Sequence, residues 1–144
     1  MKKPKYNTST KKKDKPVYNG ISFDSNDEML YYQFLESEVE KKRIARFDHQ
    51  VKMVLIDKYQ IFLKKVRAAE IVIDFRVFLA DGSVIYQDVK GFPSEKANLQ
   101  RKIFEWRYGV PLQWITHSKI DGGWIDYDEL KKRRTKRKRE KVKK

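Results

Sequence analysis

Asp74 stands inside an apolar run, Ile71-Val72-Ile73-Asp74-Phe75, and Asp88 and Lys90 lie two apart in Gln87-Asp88-Val89-Lys90-Gly91. A carboxylate in a strand of that composition is costly to bury unless it is paired or ligates a metal. Residues two apart on a strand project from one face, so Asp88 and Lys90 present an acid beside a cation. Register decides whether Asp74 joins them. A two-residue turn at Asp81-Gly82 would pair Ala80 with Ser83 and set Asp74 opposite Val89, on the wrong side from Asp88. A three-residue loop, Ala80-Asp81-Gly82, puts Gly82 in the left-handed position and pairs Leu79 with Ser83. Asp74 then lies directly across from Asp88, with Lys90 on the same face opposite Val72. Facing carboxylates destabilise a sheet, and a divalent cation between them reverses that sign. The three-residue loop is therefore the expectation. The chain has no cysteine and only two histidines, His49 and His117. Thiolate and structural zinc sites are thus excluded, leaving oxygen-held magnesium or manganese.

These residues need elements to hold them. The length, 144 residues, suits one domain with a real core. Met1 to Pro16 reads as a flexible basic arm, 17–130 as the folded domain and 131–144 as a disordered basic tail. A helix is expected over 24–45. Ser25 caps it, Glu28 completes an S-x-x-E capping box, and Tyr32, Leu35 and Val39 form its apolar stripe. Alternation predicts a strand over 47–56; residues 57–68 read as a loop or a strand extension. Strands follow over 69–79 and 83–90, the second stopped by Gly91 and Pro93. A second helix over 94–108 is capped by Ser94 and Gly109 and buries Leu99, Ile103 and Trp106. A fourth strand covers 110–116, and Trp124 and Tyr127 fold back onto the body. The order α-β-β-β-α-β makes an α/β fold with a mixed central sheet flanked by helices.

Asp74 followed by Asp88-Val89-Lys90 resembles the D…(D/E)-x-K core of the PD-(D/E)XK nucleases. Phe23-x-Ser25-x-x-Glu28 ahead of a helix, with Asp88-Val89-Lys90-Gly91 closing a hairpin, resembles a small phage-encoded, Holliday junction resolvase-like family of that group. The resemblance covers roughly residues 20–115; Ile73 stands where the group's name has proline. It implies a restriction-endonuclease-like core and Mg2+ or Mn2+ held by Asp74 and Asp88. The metal would polarise the scissile phosphate and lower the pKa of its water. Lys90 would orient that water and stabilise developing charge. Glu28 would bind a second metal or position the first one's water, and Gln100, or more weakly Lys102, would contact the phosphate. Each residue has a plainer reading. Glu28 can be the capping-box partner of Ser25 alone, Glu36 a solvated acid, and Asp74 a salt-bridge partner of Arg76 or Lys90. His49 and His117 read as strand residues with ordinary partners, although the strand of His49 should adjoin that of Asp74. Trp106, Trp114 and Trp124 read as core.

The net charge of +14 is concentrated at the two ends. Residues 1–16 carry seven lysines and one acid, and 131–144 carry eleven Lys or Arg and one acid, which leaves 17–130 with 16 basic and 18 acidic residues. Such ends bind polyanions by counterion release, without reading sequence. Lys131, Lys132, Arg133, Arg134, Lys136, Arg137, Lys138 and Arg139 are the expected DNA-binding residues. No run reaches the roughly 20 apolar residues of a membrane span, and no signal peptide is visible, so a soluble, cytoplasmic protein is expected. Two functions compete. One is a metal-dependent endonuclease on branched or duplex DNA, acting in phage recombination, replication or packaging; junction resolution would require a homodimer. Ile61, Phe62 and Val66 suit such an interface or, equally, the core. The other is a non-catalytic nucleic-acid-binding protein whose acids are structural.

Overall fold

The computed structural model describes residues 14–142, so most of the basic arm over 1–16 and the last two residues of the expected tail lie outside it. The fold is α/β. Its centre is a five-stranded mixed sheet in the order β3 (Ile44–Ile56), β6 (Ala69–Leu79), β7 (Val84–Val89), β8 (Leu112–Ser118), β9 (Gly123–Asp126). All neighbours are antiparallel except β7 and β8. That parallel pair is joined through helix α2 (Glu95–Tyr108), as a crossover connection requires. Helix α1 (Asn26–Glu40) precedes β3, and the expected order α-β-β-β-α-β is found from α1 to β8 once two small hairpins are set aside; a fifth sheet strand, β9, and a third helix follow it. These are β1 (Val17–Tyr18) with β2 (Ile21–Ser22), and β4 (Tyr59–Ile61) with β5 (Lys64–Val66).

The core has two parts. Tyr31 and Leu35 of α1 pack with Ile44, Phe75, Val77 and Ile115. Phe104 of α2 packs with Leu55, Ile71, Ile73 and Leu112. Along β6 the change of partner falls between Ile73 and Phe75, at Asp74 itself. On β3 the residue in register with Asp74 is Gln50, which drops out of the pairing and has φ of 59°. The strands are thus irregular at the row of Asp74.

Three expectations are corrected. Helix α2 buries Phe104, not Leu99 or Trp106, which are 60% and 84% exposed. Its inner face runs through Gln100, Phe104 and Tyr108, so the apolar stripe is turned by about one residue, roughly 100°. Trp114 is core, as expected, and Trp124 half-buried. Phe62 and Ile61 are not core: they are 93% and 53% exposed on the β4–β5 hairpin. Finally, the basic segment from 131 is helical as far as Val142, in α3 (Tyr127–Val142). Leu130 anchors α3, being almost fully buried, and Arg133 and Arg137 reach back to Asp121. Lys and Arg are good helix formers, and these anchors, with Asp128 and Glu129 in the first turn, offset the repulsion along the helix.

Candidate active site

Between β6 and β7 the ladder runs Phe78↔Val84, Val77↔Ile85, Arg76↔Tyr86, Phe75↔Gln87. One step outward at each end gives Leu79 with Ser83 and Asp74 with Asp88, the register of the three-residue loop. The amide of Leu79 donates to Ser83 O at 2.9 Å, and Gly82, at φ +90°, donates to Leu79 O at 3.0 Å. Asp81 accepts from both the amide and the hydroxyl of Ser83, which holds the loop closed.

The ladder then stops, because β7 leaves β6 to follow β8: Asp88 pairs with Trp114, Val89 with Ile115, and the Lys90 amide donates to Ile115 O. A fork opens in the sheet, and the two carboxylates fill it. The Asp74 amide donates to Asp88 Oδ1 at 2.8 Å, and the Val89 amide donates to Asp74 Oδ2 at 2.9 Å. The side chains replace missing backbone acceptors, so buried amides stay satisfied. Among the described residues no protein donor reaches the second oxygen of either Asp. Asp74 has no arginine partner there either: Arg76 binds Asp48, with Nη2 and Nε at 2.6 and 2.9 Å from Oδ2.

Glu28, buried in the first turn of α1, stands beside this pair. Its amide donates to Ser25 Oγ at 3.1 Å, the expected cap. Its carboxylate reaches past Ser25: Oε2 accepts from the Asp24 amide, and Oε1 meets His49 Nε2 at 2.7 Å and Gln50 Nε2 at 3.0 Å. Capping and a place at the site therefore coexist. His49 is a strand residue of β3, beside the strand of Asp74 as expected, and its partner is Glu28, with Phe23, Tyr32 and Phe75 around the ring. Gln50, whose left-handed backbone accompanies its contact with Glu28 and Asp24, is a further residue of the site; nothing in its local composition marks it.

The charges are poorly compensated. Burial, with the charges of Asp88 and Glu28, pushes Asp74 up to about 7, against the pull of the Val89 amide and Lys90. Burial also raises Asp88, opposed by the Asp74 amide and Lys90. Burial would raise Glu28 too, but its bonds to His49 and Gln50 outweigh that and hold it below its ordinary value. The donor set suits a hard divalent cation: two converging carboxylates, each with an oxygen to spare, in a place that is too negative when both are ionised. Among the described residues no three His, Asp or Glu side chains form a ready-made metal cage. Mg2+ is commonly held by one or two carboxylates with water and substrate phosphate completing its shell, so Asp74 and Asp88 could hold it without a third protein ligand. Glu28, expected as a further metal ligand, has both oxygens engaged by Asp24, His49 and Gln50, and its charge acts on both aspartates.

The remaining expected residues are placed as follows. Lys90 is half-buried and close enough to act on both aspartates. Gln100 is half-buried on α2 and Lys102 exposed there; no hydrogen bond joins either to the acids. Of the α3 cations, Arg133 and Arg137 are engaged with Asp121, at 3.5 and 2.8 Å, while Lys131, Lys132, Arg134, Lys136, Lys138 and Arg139 are exposed. No helix among the described residues is long and apolar enough to cross a membrane.

A family of proteins of unknown function, DUF1064, matches residues 4–122. The chain belongs to this family. No curated protein and no solved structure matches the chain. The DUF1064 region contains the whole acidic site and both hairpins, whereas α3 lies beyond it.

Proposed function

We propose that the protein is a metal-dependent nuclease of the PD-(D/E)XK type, hydrolysing phosphodiester bonds in DNA at Asp74, Asp88 and Lys90. The observation that carries this reading is the fork between β6 and β7. There Asp88, buried, and Asp74, half-buried, face each other, each bound on one oxygen by a backbone amide and open on the other. A purely structural pair would be expected to carry a bound neutralising partner; Lys90 acts on both acids but hydrogen-bonds neither, and Arg76 is spent on Asp48. Mg2+ or Mn2+ held by Asp74 and Asp88 would supply Lewis acidity to a phosphate oxygen and an ionised water. The protein's own part is to hold the two acids rigidly, through the Asp74 and Val89 amides. Lys90, on the strand of Asp88, offsets negative charge on the phosphate. Glu28, fixed by His49 and Gln50, sets the field behind the acids. Gln100 and Lys102 would meet the substrate backbone from α2. The basic α3 would grip phosphates without regard to sequence. Action on branched DNA, in the manner of a junction resolvase, is the specific form we favour, and it would need two copies of the chain. Nicking of supercoiled plasmid tests the reading: relaxed circles should form with Mg2+ or Mn2+, and neither with EDTA nor with Asp88→Asn. A wild type that binds the plasmid and leaves it supercoiled with both metals would favour the competing view, a non-catalytic nucleic-acid-binding protein.

A further inference from the structure

The β4–β5 hairpin stands between β3 and β6, which it connects, and belongs to neither core cluster. Its ladder, Tyr59↔Val66, Gln60↔Lys65, Ile61↔Lys64, leaves Phe62 and Leu63 as a two-residue tip. They are 93% and 96% exposed. Phe62 has φ of 52°, and Leu63 is not in the left-handed region. Positive φ at the first position of a two-residue hairpin tip is where glycine is strongly preferred. A bulky aromatic there is strained, and as it is almost wholly exposed it gains little packing in return. Gln60 Nε2 bonds Phe62 O at 2.9 Å and braces the tip in that shape. Folding alone favours another residue at this position.

The flanks say what the tip meets. Lys58 to Arg67 contains four cations, Lys58, Lys64, Lys65 and Arg67, and no acid. Tyr59 at the root is half exposed, and Trp106 of α2 borders the same cleft with its ring 84% exposed. Aromatic faces interleaved with cations match bases and phosphates. A second copy is a poor match, since a two-fold contact would bring these cations against themselves. A lipid surface is also a poor match, because its affinity scales with apolar area, whereas one or two side chains suffice to wedge a base step. The root of the hairpin, at Ala69, is roughly 17 Å along β6 from Asp74, at about 3.3 Å per residue. That is within one turn of duplex, roughly 34 Å.

We infer that the β4–β5 hairpin is a nucleic-acid wedge, with Phe62 and Leu63 inserted against unstacked bases and Lys58, Lys64, Lys65 and Arg67 on the flanking phosphates. The inference deepens the nuclease reading by naming how the substrate is engaged. The test uses the full chain in EDTA, so that binding is read without hydrolysis, and a four-way DNA junction carrying 2-aminopurine at the branch point. Wild type should bind and raise the 2-aminopurine fluorescence. Phe62→Gly with Leu63→Ser suits the turn better, so its melting temperature should hold or rise. It should bind at least fivefold more weakly and lose the fluorescence change, while Phe62→Trp should keep it. A glycine-serine variant with wild-type affinity and fluorescence would overturn the inference. So would loss of dimerisation in sedimentation with DNA binding intact, or binding to phosphatidylserine vesicles through the tip with no effect on DNA. The nuclease reading fails separately: absence of cleavage in Mg2+ together with tip-dependent fluorescence in EDTA would leave a wedge on a protein that does not cut.

Discussion

Asp74 and Asp88 act as backbone acceptors and as each other's electrostatic liability, and the two roles are separable by substitution. Asp88→Asn keeps an oxygen for the Asp74 amide and removes the repulsion. In metal-free buffer at pH 8 it should match or exceed the wild type in melting temperature. Asp88→Ala strands that amide and should cost about 1–3 kcal/mol. A drop for the asparagine variant as large as for alanine would mean that the pair is not repulsive. Asp74 also makes stability depend on pH. Its folded value of about 7 lies above the ordinary 3.8, so the folded state holds the proton more tightly. The stability this confers is full below about pH 4 and is lost as pH rises through 7, on the order of 2–4 kcal/mol. Metal-free protein should therefore melt lower at pH 8 than at pH 5, and Asp74→Asn should flatten that trend. Urea titrations across this range measure it; an unchanged slope in the variant would move the titrating group elsewhere. These residues are legible in the sequence because an acid in an apolar strand is conspicuous. The partnership of Glu28 with His49 and Gln50 is not, since it depends on how the start of α1 meets a distorted row of β3.

At the scale of elements, the hairpin of β6 and β7 shows how far local rules reach. The register follows from the length of the loop, and Gly82 carries it. A side chain at Gly82 meets nothing within 4 Å, so Gly82→Ala is disfavoured by conformation alone, at about 1 kcal/mol. Because the loop sets the register of Asp74 against Asp88, that variant should lose metal-induced stabilisation if the loop re-forms with two residues, and retain it if the loop is merely strained. Thermal melts with and without Mn2+ distinguish these. The β1–β2 hairpin turns on the Asn19-Gly20 pair, both at positive φ, a local turn signal just after the basic arm and at the start of the folded domain. The phase of α2 departs from its apolar stripe for a physical reason. Leu99 and Trp106 are apolar but sit on the open side, where Trp106 borders the cleft at the root of β4–β5, and sequence periodicity cannot tell a core stripe from a binding surface.

Across the whole molecule, charge organises function. The sequence shows where the cations lie along the chain, but not that Asp121, near the end of the body, draws Arg133 and Arg137 into a helix. That contact is tertiary and leaves no local pattern. It divides the α3 cations into anchors and free charges. Neutralising Lys132 and Lys136 should reduce the slope of log affinity for duplex DNA against log salt by about 0.9 for each phosphate that is no longer neutralised, while leaving the fold intact. Neutralising Arg133 and Arg137 should instead loosen α3, which circular dichroism reads directly. Equal effects of the two pairs on helicity would contradict the division. On the proposed reading, the basic helix would grip nucleic acid, the hairpin would open it and the acidic fork would cut it. The most direct test is cleavage of end-labelled four-way junction, flap, duplex and single-stranded DNA in Mg2+, with wild type beside Asp88→Asn. The account predicts cleavage by wild type, strongest on the branched substrates, and none by the variant. Cleavage that survives Asp88→Asn, or wild-type binding to all four DNAs without a single cut in Mg2+ or Mn2+, would contradict it.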